Sequence, residues 1–479
     1  MRLRIAPAVV LVSGLALLGG HANGAAQAPG PAPGAQKEPA IVFDGADYLV
    51  AWTNVRKQST RALSAASAFR PQLPPPPPPP PRAALYGARV TKTGRALDQG
   101  GIAISTAEFN EYSRPAVASD GTDALFVWTD RRNGMGLVQG ARVLGTGFVS
   151  DPAAIDIWAG PDPPGAYGAA VAFDGVDYLV AWATSSIYEQ RIYATFVTPS
   201  GLVPRPTPIE VTSGDRYGMY PAVAFDGVNY LVAWVEYHEF GASVHATRVS
   251  RAGVVLDPDG ILVDQNGSIP KIAFNGTNYL LVYGSYGKRI SRSGQVLDSQ
   301  PIPIAPTGSG DSDAVSSDGT DYFVAWADTR FGCCSIFGTR VSPSGAVLDP
   351  AGIAIATHGR EQRDPAIGFD GTNYVVAWTD NRGSSTDIYG ARVATDGRVL
   401  DQRGILVSTA APLKPRCVVP RVTGMRLKRA RSKIRRAHCS VAGVRTRAAK
   451  KRRGRVVAQS PRPRTTRPLG FPVRIVVGR

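Results

Sequence analysis

PAVAFDGVNYLVAW, residues 221–234, recurs through this chain with small changes. The other copies are PAIVFDGADYLVAW (39–52), PAVASDGTDALFVW (115–128), AAVAFDGVDYLVAW (169–182), PKIAFNGTNYLLVY (270–283), DAVSSDGTDYFVAW (313–326) and PAIGFDGTNYVVAW (365–378). Their shared glycines are Gly45, Gly121, Gly175, Gly227, Gly276, Gly319 and Gly371, spaced 76, 54, 52, 49, 43 and 52 residues apart. Seven residues after each glycine stands a large aromatic: Trp52, Trp128, Trp182, Trp234, Tyr283, Trp326 and Trp378. Such a period marks an array of one supersecondary unit. Within the unit, Asp-Gly between short alternating runs of Val, Ile, Tyr and Phe signals a hairpin. The unit continues with a third strand such as Ile388–Val393, a small-residue turn at 394–397, and a fourth extended stretch ending at Ser408. Four strands per unit make the blade of a β-propeller, so the chain reads as all-β with a seven-bladed disc. An open β-solenoid is the alternative.

The remaining composition fits this reading. A chain of 479 residues suggests two or three domains. Its 52 Gly and 39 Pro turn the backbone often, and no heptads run through it. The net charge of +17 is concentrated at one end. Residues 413–479 carry 22 Lys or Arg and no Asp or Glu, which leaves 32 basic against 37 acidic residues elsewhere.

Residues 1–24 have the form of a secretory signal peptide: Arg2 and Arg4, an apolar run from Ile5 to Leu18, then small residues near Gly24. The mature protein is therefore expected to be exported, secreted or wall-associated and at most peripheral to a membrane. Residues 25–37 read as a disordered Gly/Ala/Pro linker, 38–411 as the propeller and 412–479 as a second domain. An insertion at 57–82 holds Pro74 to Pro81, a stiff spacer of roughly 25 Å in polyproline II form.

The turns within hairpins are monotonous and lie on one face of the disc. The connections between the second and third strands, and between blades, vary and lie on the other face, where binding is expected. Aromatic residues gather in those connections: Phe109, Tyr112, Trp158, Tyr167, Tyr188, Tyr217, Tyr220, Tyr237 and Phe240. Rings with an apolar face and a polar tip suit a sugar or a peptide. Loop acids that could pair for catalysis are Glu108, Glu111, Glu189, Glu236, Glu239 and Glu361.

Other motifs read as structure. Arg89, Arg142, Arg248, Arg289, Arg340 and Arg392 recur in the third strand, and Asp98, Asp257, Asp298, Asp349 and Asp401 follow the next turn. An arginine in nearly every blade exceeds what one site needs, so these read as Arg–Asp pairs within blades. The Asp-Gly turns lack the Ser-x-Asp-x-Gly spacing of a sialidase Asp box. Asp257-Pro-Asp-Gly260 lacks the spaced oxygen ligands of a calcium loop, and His21, His238, His245, His358 and His438 form no zinc motif. Neither a metal nor a cofactor is expected.

Cys333 and Cys334 are adjacent, and could form a vicinal disulfide, remain free or bond between molecules. Cys417 and Cys439 could close the C-terminal segment, adding roughly 3–4 kcal/mol. In that segment Leu427, Ala430, Ile434 and Ala437 fall at helical spacing, with Lys428, Arg429, Arg431, Lys433, Arg435 and Arg436 outside. A short strand is expected at 419–422 and others near Val456 and at 473–477. Arg445, Arg447, Lys450, Lys451, Arg452, Arg453 and Arg455 read as a basic loop.

VPRVTGMRLKRARSKI, the helix-end Ala437, VVAQSPRP and the terminal VRIVV resemble a PASTA domain, a small α+β module of β-α-β-β order. Arg464 stands where that family usually has Gly. The resemblance implies a bacterial envelope setting, Gram-positive and actinobacterial, in which some such domains recognise muropeptides or β-lactams and others act as spacers. Peptidoglycan or an anionic wall polymer is the implied partner, with a glycan, peptide or protein on the propeller face. Export argues against nucleic acid, and a monomer is expected. The favoured reading is a non-catalytic envelope protein. A wall-targeted glycan hydrolase or lyase, and a structural surface protein, are the alternatives.

Overall fold

The computed structural model describes residues 35–479 apart from 57–81, 111–113, 133–134, 162–164, 186–189, 213–216, 240, 307–311, 331–333, 358–360, 384, 409–416, 438, 450–452, 464 and 468–471. The signal-peptide reading, most of the linker and the polyproline run lie outside these residues. No helix among the described residues is long and apolar enough to cross a membrane.

The seven repeats form seven four-stranded antiparallel sheets, each built from strands consecutive in the chain. In the seventh blade these are Gln362–Phe369, Asn373–Asp380, Asp387–Ala394 and Ile405–Ser408. The first strands of successive blades pack on one another all the way round, and the circuit closes with Gln362–Phe369 against Ala35–Phe43. The array is thus a closed propeller rather than a solenoid, with the first strand of every blade facing the central axis. Among the described residues no strand is exchanged between its ends. Closure uses side-by-side packing of Ile41, Tyr48 and Trp52 with Val375, Ala377 and Ile388.

The propeller begins earlier than the boundary at residue 38. Ala35–Lys37 already belongs to the first strand and is paired with Thr53–Val55. Gln36 is wholly buried, receiving its order from the seventh blade: its amide donates to Thr386 O at 3.1 Å and its Nε2 to Ser408 Oγ at 3.2 Å.

The repeated residues explain the ring physically. Each Asp or Asn before the turn glycine accepts two backbone N–H bonds with one side-chain oxygen; Asp226 Oδ1 takes those of Val228 and Asn229, both at 2.7 Å. In blades 1, 4, 5 and 6 the tyrosine three residues after the glycine latches the blade to its predecessor. Tyr48 donates to Asn373 O at 2.8 Å, Tyr279 to Asn229 O at 3.2 Å and Tyr322 to Asn278 O at 2.6 Å. The six tryptophans of the register are at most 1 % exposed.

The Arg–Asp pairs are present, and they also join blades. Arg89, Arg142, Arg248, Arg289, Arg340 and Arg392 each grip the aspartate nine residues on, including Asp151 of blade 2. Each guanidinium also lies under the hairpin glycine of the following blade, and Arg392 of the last blade lies under Gly94 of the first. Blade 3 keeps the device with the chemistry exchanged. Phe196 occupies the arginine position and Arg205 stands nine residues later, stacked over the Phe196 ring at 5.7 Å. Arg205 reaches blade 4 by donating to Ala252 O at 2.7 Å.

These pairs set an acid limit. Burial alone would raise the carboxyls of Asp151, Asp257 and Asp349, but hydrogen bonds from their arginines outweigh it and hold them below the usual range. A carboxyl lowered in the folded state contributes stability above its unfolded value, about 4, and loses it as pH falls through the folded value. The unfolding temperature is therefore expected to drop on going from pH 5 to pH 2, and a flat or rising profile would contradict the clamp.

After the last blade comes a small α+β module with its own core of Val419, Val422, Ala430, Ile434, Val456, Val473 and Ile475. The helix α1 (Leu427–Arg436) buries Ala430 and Ile434 and exposes its six basic residues. Ser440–Arg447 runs parallel to Pro472–Gly478, which pairs antiparallel with Val456–Ser460. Two local expectations change. The first strand is Cys417–Val418, paired with Thr466–Arg467, because Val419 and Val422 turn inward to the core instead. Arg445 and Arg447 lie on a strand rather than in a loop. Gln459 anchors the entry segment, accepting from Val422 N at 2.7 Å and donating to Pro420 O at 2.9 Å.

Cys334 is a buried free thiol, so the vicinal disulfide is not formed. Neighbouring Cα atoms about 3.8 Å apart sit below the usual disulfide span of about 4.4–6.8 Å.

Candidate functional site at the mouth of the central channel

The first strands surround the axis, so one register position in all seven blades traces a ring. Seven residues before each turn glycine the ring reads Glu38, Arg114, Gly168, Tyr220, Ile269, Ser312 and Asp364. The backbone there is left-handed at Glu38 (φ 54°), Gly168 (57°), Tyr220 (52°) and Asp364 (53°). Strand pairing slips at the same place, between Lys37 and Ala40, Met219 and Ala222, and Arg363 and Ala366. Each slip is a β-bulge, which re-aims the side chain it contains. Left-handed backbone costs a non-glycine residue about 1–2 kcal/mol. Glycine serves blade 3, yet blades 1, 4 and 7 place Glu, Tyr and Asp there.

Ring closure brings two of these residues together. Arg114 Nε donates to Glu38 Oε1 at 3.3 Å, and Arg114 Nη2 lies 3.8 Å from Asp364 Oδ1. Thr379 Oγ1 donates to Asp364 Oδ2 and accepts from Glu38 N, both at 3.2 Å. Burial pushes the Glu38 carboxyl up, Arg114 opposes this and Asp364 adds to it, for a net rise. Arg114 itself is 57 % exposed and faces solvent.

A second set of carboxylates, Asp130, Glu236, Asp328 and Asp380, follows four of the six register tryptophans by two residues; Asn54 and Thr184 follow the other two. Asp380 is fully buried, accepting from Trp378 Nε1 at 2.8 Å, Gln362 Nε2 at 2.9 Å and Arg382 Nη2 at 2.6 Å. Burial would raise its carboxyl, but the bonds from Arg382, Trp378 and Gln362 hold it low. Asp328 repeats the arrangement with Trp326 and Arg330. Their sequence signal is Trp-x-Asp-x-Arg at 128–132, 326–330 and 378–382. Asp328 and Asp380 are satisfied internally and support the blade ends.

In blade 4, Ser243 Oγ lies between His238 Nε2 at 2.7 Å and His245 Nε2 at 3.0 Å, and Glu236 Oε2 is 3.5 Å from the same His245 nitrogen. A nucleophilic relay needs its serine and acid on opposite ring nitrogens. Here both meet Nε2, and Ser243 is buried, so the cluster lacks that geometry. Glu236 accepts from Trp234 Nε1 at 2.9 Å. Among the described residues no group of three His, Cys, Asp or Glu is arranged to hold a metal.

The expected aromatics separate into groups. Tyr217 and Tyr237 are exposed in blade 4, beside the partly buried Tyr220 of the ring. Trp158 packs on Trp182 at 5.7 Å and Tyr167 on the core between blades 3 and 4. Tyr112, Tyr188 and Phe240 lie outside the described residues, and the Phe109 side chain is likewise outside them. Of the loop acids, Glu361 is ion-paired with Arg363, and Glu239 is exposed. Glu111 and Glu189, and the side chain of Glu108, are outside the described set. The carboxylate pair at the channel is instead Glu38 with Asp364. Arg445, Arg447, Arg453 and Arg455 are exposed on the small module, while Lys450, Lys451 and Arg452 lie outside the described residues.

No protein-family model and no curated protein matches the chain. Solved structures resemble its fold. A puromycin-hydrolyzing peptidase of Mycobacterium tuberculosis is 14% identical with a TM-score of 0.46, over 81% of this chain and 58% of its own. An exo-1,5-alpha-L-arabinanase from a bovine ruminal metagenomic library is 9% identical with a TM-score of 0.34, over 56% and 97%. A GH43 endo-arabinanase from Bacillus licheniformis is 13% identical with a TM-score of 0.30, over 48% and 95%. The chain thus spans little more than half the length of the first. At these identities the likeness is one of fold alone.

Proposed function

We propose that this is an exported, non-catalytic protein of a bacterial cell envelope. In this reading the C-terminal module holds it to an anionic wall polymer and the propeller presents a binding end. Charge segregation carries the reading. Residues 413–479 hold 22 basic residues and no acid, and α1 turns Lys428, Arg429, Arg431, Lys433, Arg435 and Arg436 to solvent. No carboxylate within the module neutralises them, so an external polyanion is the natural counterpart. The resemblance to a PASTA domain supports the same setting, and a Cys417–Cys439 disulfide would close the module.

Cosedimentation with purified Gram-positive wall tests the reading. The mature chain is expected to bind at 50 mM salt and to be released by 500 mM, since exposed charges are screened. Removal of residues 413–479 is expected to cut retention at least tenfold. Equal retention of both forms at both salts would end the proposal.

One observation favours a second reading, a wall-targeted glycan hydrolase: Glu38 and Asp364 share Arg114 beside the channel. In that case the wild type releases shortened oligosaccharides and Glu38→Gln does not. Chromatography of a wall glycan digest showing no new products would leave the binding reading in place.

A further inference from the structure

We infer that Glu38, Arg114 and Asp364 form a saccharide site that takes a vicinal hydroxyl pair of a neutral sugar at the mouth of the central channel. The inference deepens the binding reading and rests on it.

The seven blades provide an internal comparison. Where the scaffold dictates a residue, the blades agree: the turn glycine, the aromatic seven residues later, the guanidinium clamp. At the ring position they disagree completely, with Glu38, Arg114, Gly168, Tyr220, Ile269, Ser312 and Asp364 sharing one place in the repeat. The scaffold therefore does not ask for carboxylates there. The three left-handed non-glycine residues at this position include both members of the acidic pair, Glu38 and Asp364.

The three charged side chains converge because blades 7, 1 and 2 are consecutive around the closed ring. Thr379 fixes the pair from behind, through Asp364 Oδ2 and Glu38 N. Glu38 Oε2 has no hydrogen-bond partner among the described residues, and Asp364 Oδ1 has only the 3.8 Å approach of Arg114. Acceptors therefore flank a solvent-facing guanidinium, whose N–H groups are all donors. A hydroxyl both donates and accepts, so two adjacent hydroxyls can satisfy an acceptor and a donor side by side. An anionic ligand would meet two carboxylates already balanced by Arg114 and the neighbouring Lys37. An ammonium ligand would have to displace Arg114. A neutral polyol has neither difficulty.

Calorimetric titration of the full mature chain with chitotetraose, xylotetraose, arabinotetraose and tetragalacturonate tests the site. At least one neutral tetrasaccharide is expected to bind and the anionic one to bind at least tenfold more weakly. Arg114→Ala and Asp364→Asn are each expected to weaken the neutral ligand tenfold or more. Glu38→Gln is expected to weaken it while leaving the unfolding temperature equal or higher at pH 7, because the carboxylate raised by burial is costly when ionised. Undiminished binding in Arg114→Ala and Asp364→Asn would move the site elsewhere. Failure of every neutral sugar, with salt-sensitive wall binding intact, would overturn the site and leave the envelope reading standing. Loss of wall binding with sugar binding intact would do the reverse.

Discussion

Replacing Trp378 by alanine is expected to destabilise the protein by about 3–5 kcal/mol, the range for truncating a buried aromatic. Trp378 is fully buried between blades 6 and 7, among Phe323, Ile336, Tyr374 and Val393. Its indole also donates to Asp380, itself buried and bonded to Gln362 and Arg382. A phenylalanine at 378 separates the two contributions, since it retains most of the packing and loses the N–H. Trp182 provides the comparison, because its Nε1 has no hydrogen-bond partner among the described residues and Thr184 stands where blade 7 has Asp380. Trp378→Phe should therefore cost more than Trp182→Phe, by about 1.5–3 kcal/mol, the worth of a hydrogen bond to a charged group. Urea unfolding of the two variants measures the difference. Equal losses would show that the tryptophan–carboxylate bond contributes nothing.

The propeller was legible because its defining residues are repeated in register. A glycine and an aromatic seven residues apart, seven times over, specify hairpins of equal length, and equal hairpins close a ring. Blade 3 shows where that legibility fails. In six blades the clamp is an arginine on the third strand; in blade 3 Phe196 takes that place. The spacing of nine residues survived in Arg205 while the chemistry changed from ion pair to ring stacking. Physical function was retained through the guanidinium beneath the next blade's glycine, a contact invisible without coordinates.

The channel-mouth residues were missed for a different reason. Glu38 and Asp364 stand at the edge of apparently uniform first strands, where nothing in the local pattern announces a bulge. The variable connections are rich in aromatics, yet two of those, Trp158 and Tyr167, pack inward. Aligning the repeats one position before Pro39, Pro115, Pro221 and Pro365 would have exposed the ring. The coming together of Glu38 with Asp364, 326 positions apart in the chain, follows only once blade 7 is known to abut blade 1. In the C-terminal module the helix was readable from the burial of Ala430 and Ile434 at four-residue spacing. The strand limits around it were not, because valines serve equally in a ladder and in a loop that folds onto the core.

Gly45→Ala should be the most damaging of the turn-glycine substitutions in blades 1 to 4. Gly45 has a φ of +99°, and a Cβ there would lie 2.4 Å from the carbonyl oxygen of Gly121 in the next blade's turn. Gly227 has nearly the same backbone, φ +94°, with nothing within 4 Å. Alanine at 227 therefore meets only the dihedral cost, roughly 1–3 kcal/mol. Alanine at 45 meets that cost and a backbone atom that cannot rotate aside, which adds about 1–3 kcal/mol of overpacking. The clash can be relieved only by moving the first hairpin away from the second, which strains the neighbouring closure between blades 7 and 1. Denaturant midpoints of the two variants, measured under identical conditions, decide the matter. If Gly45→Ala is no worse than Gly227→Ala, the turns of blades 1 and 2 do not touch in solution, and the close approach of blades 1 and 2 at this face is wrong.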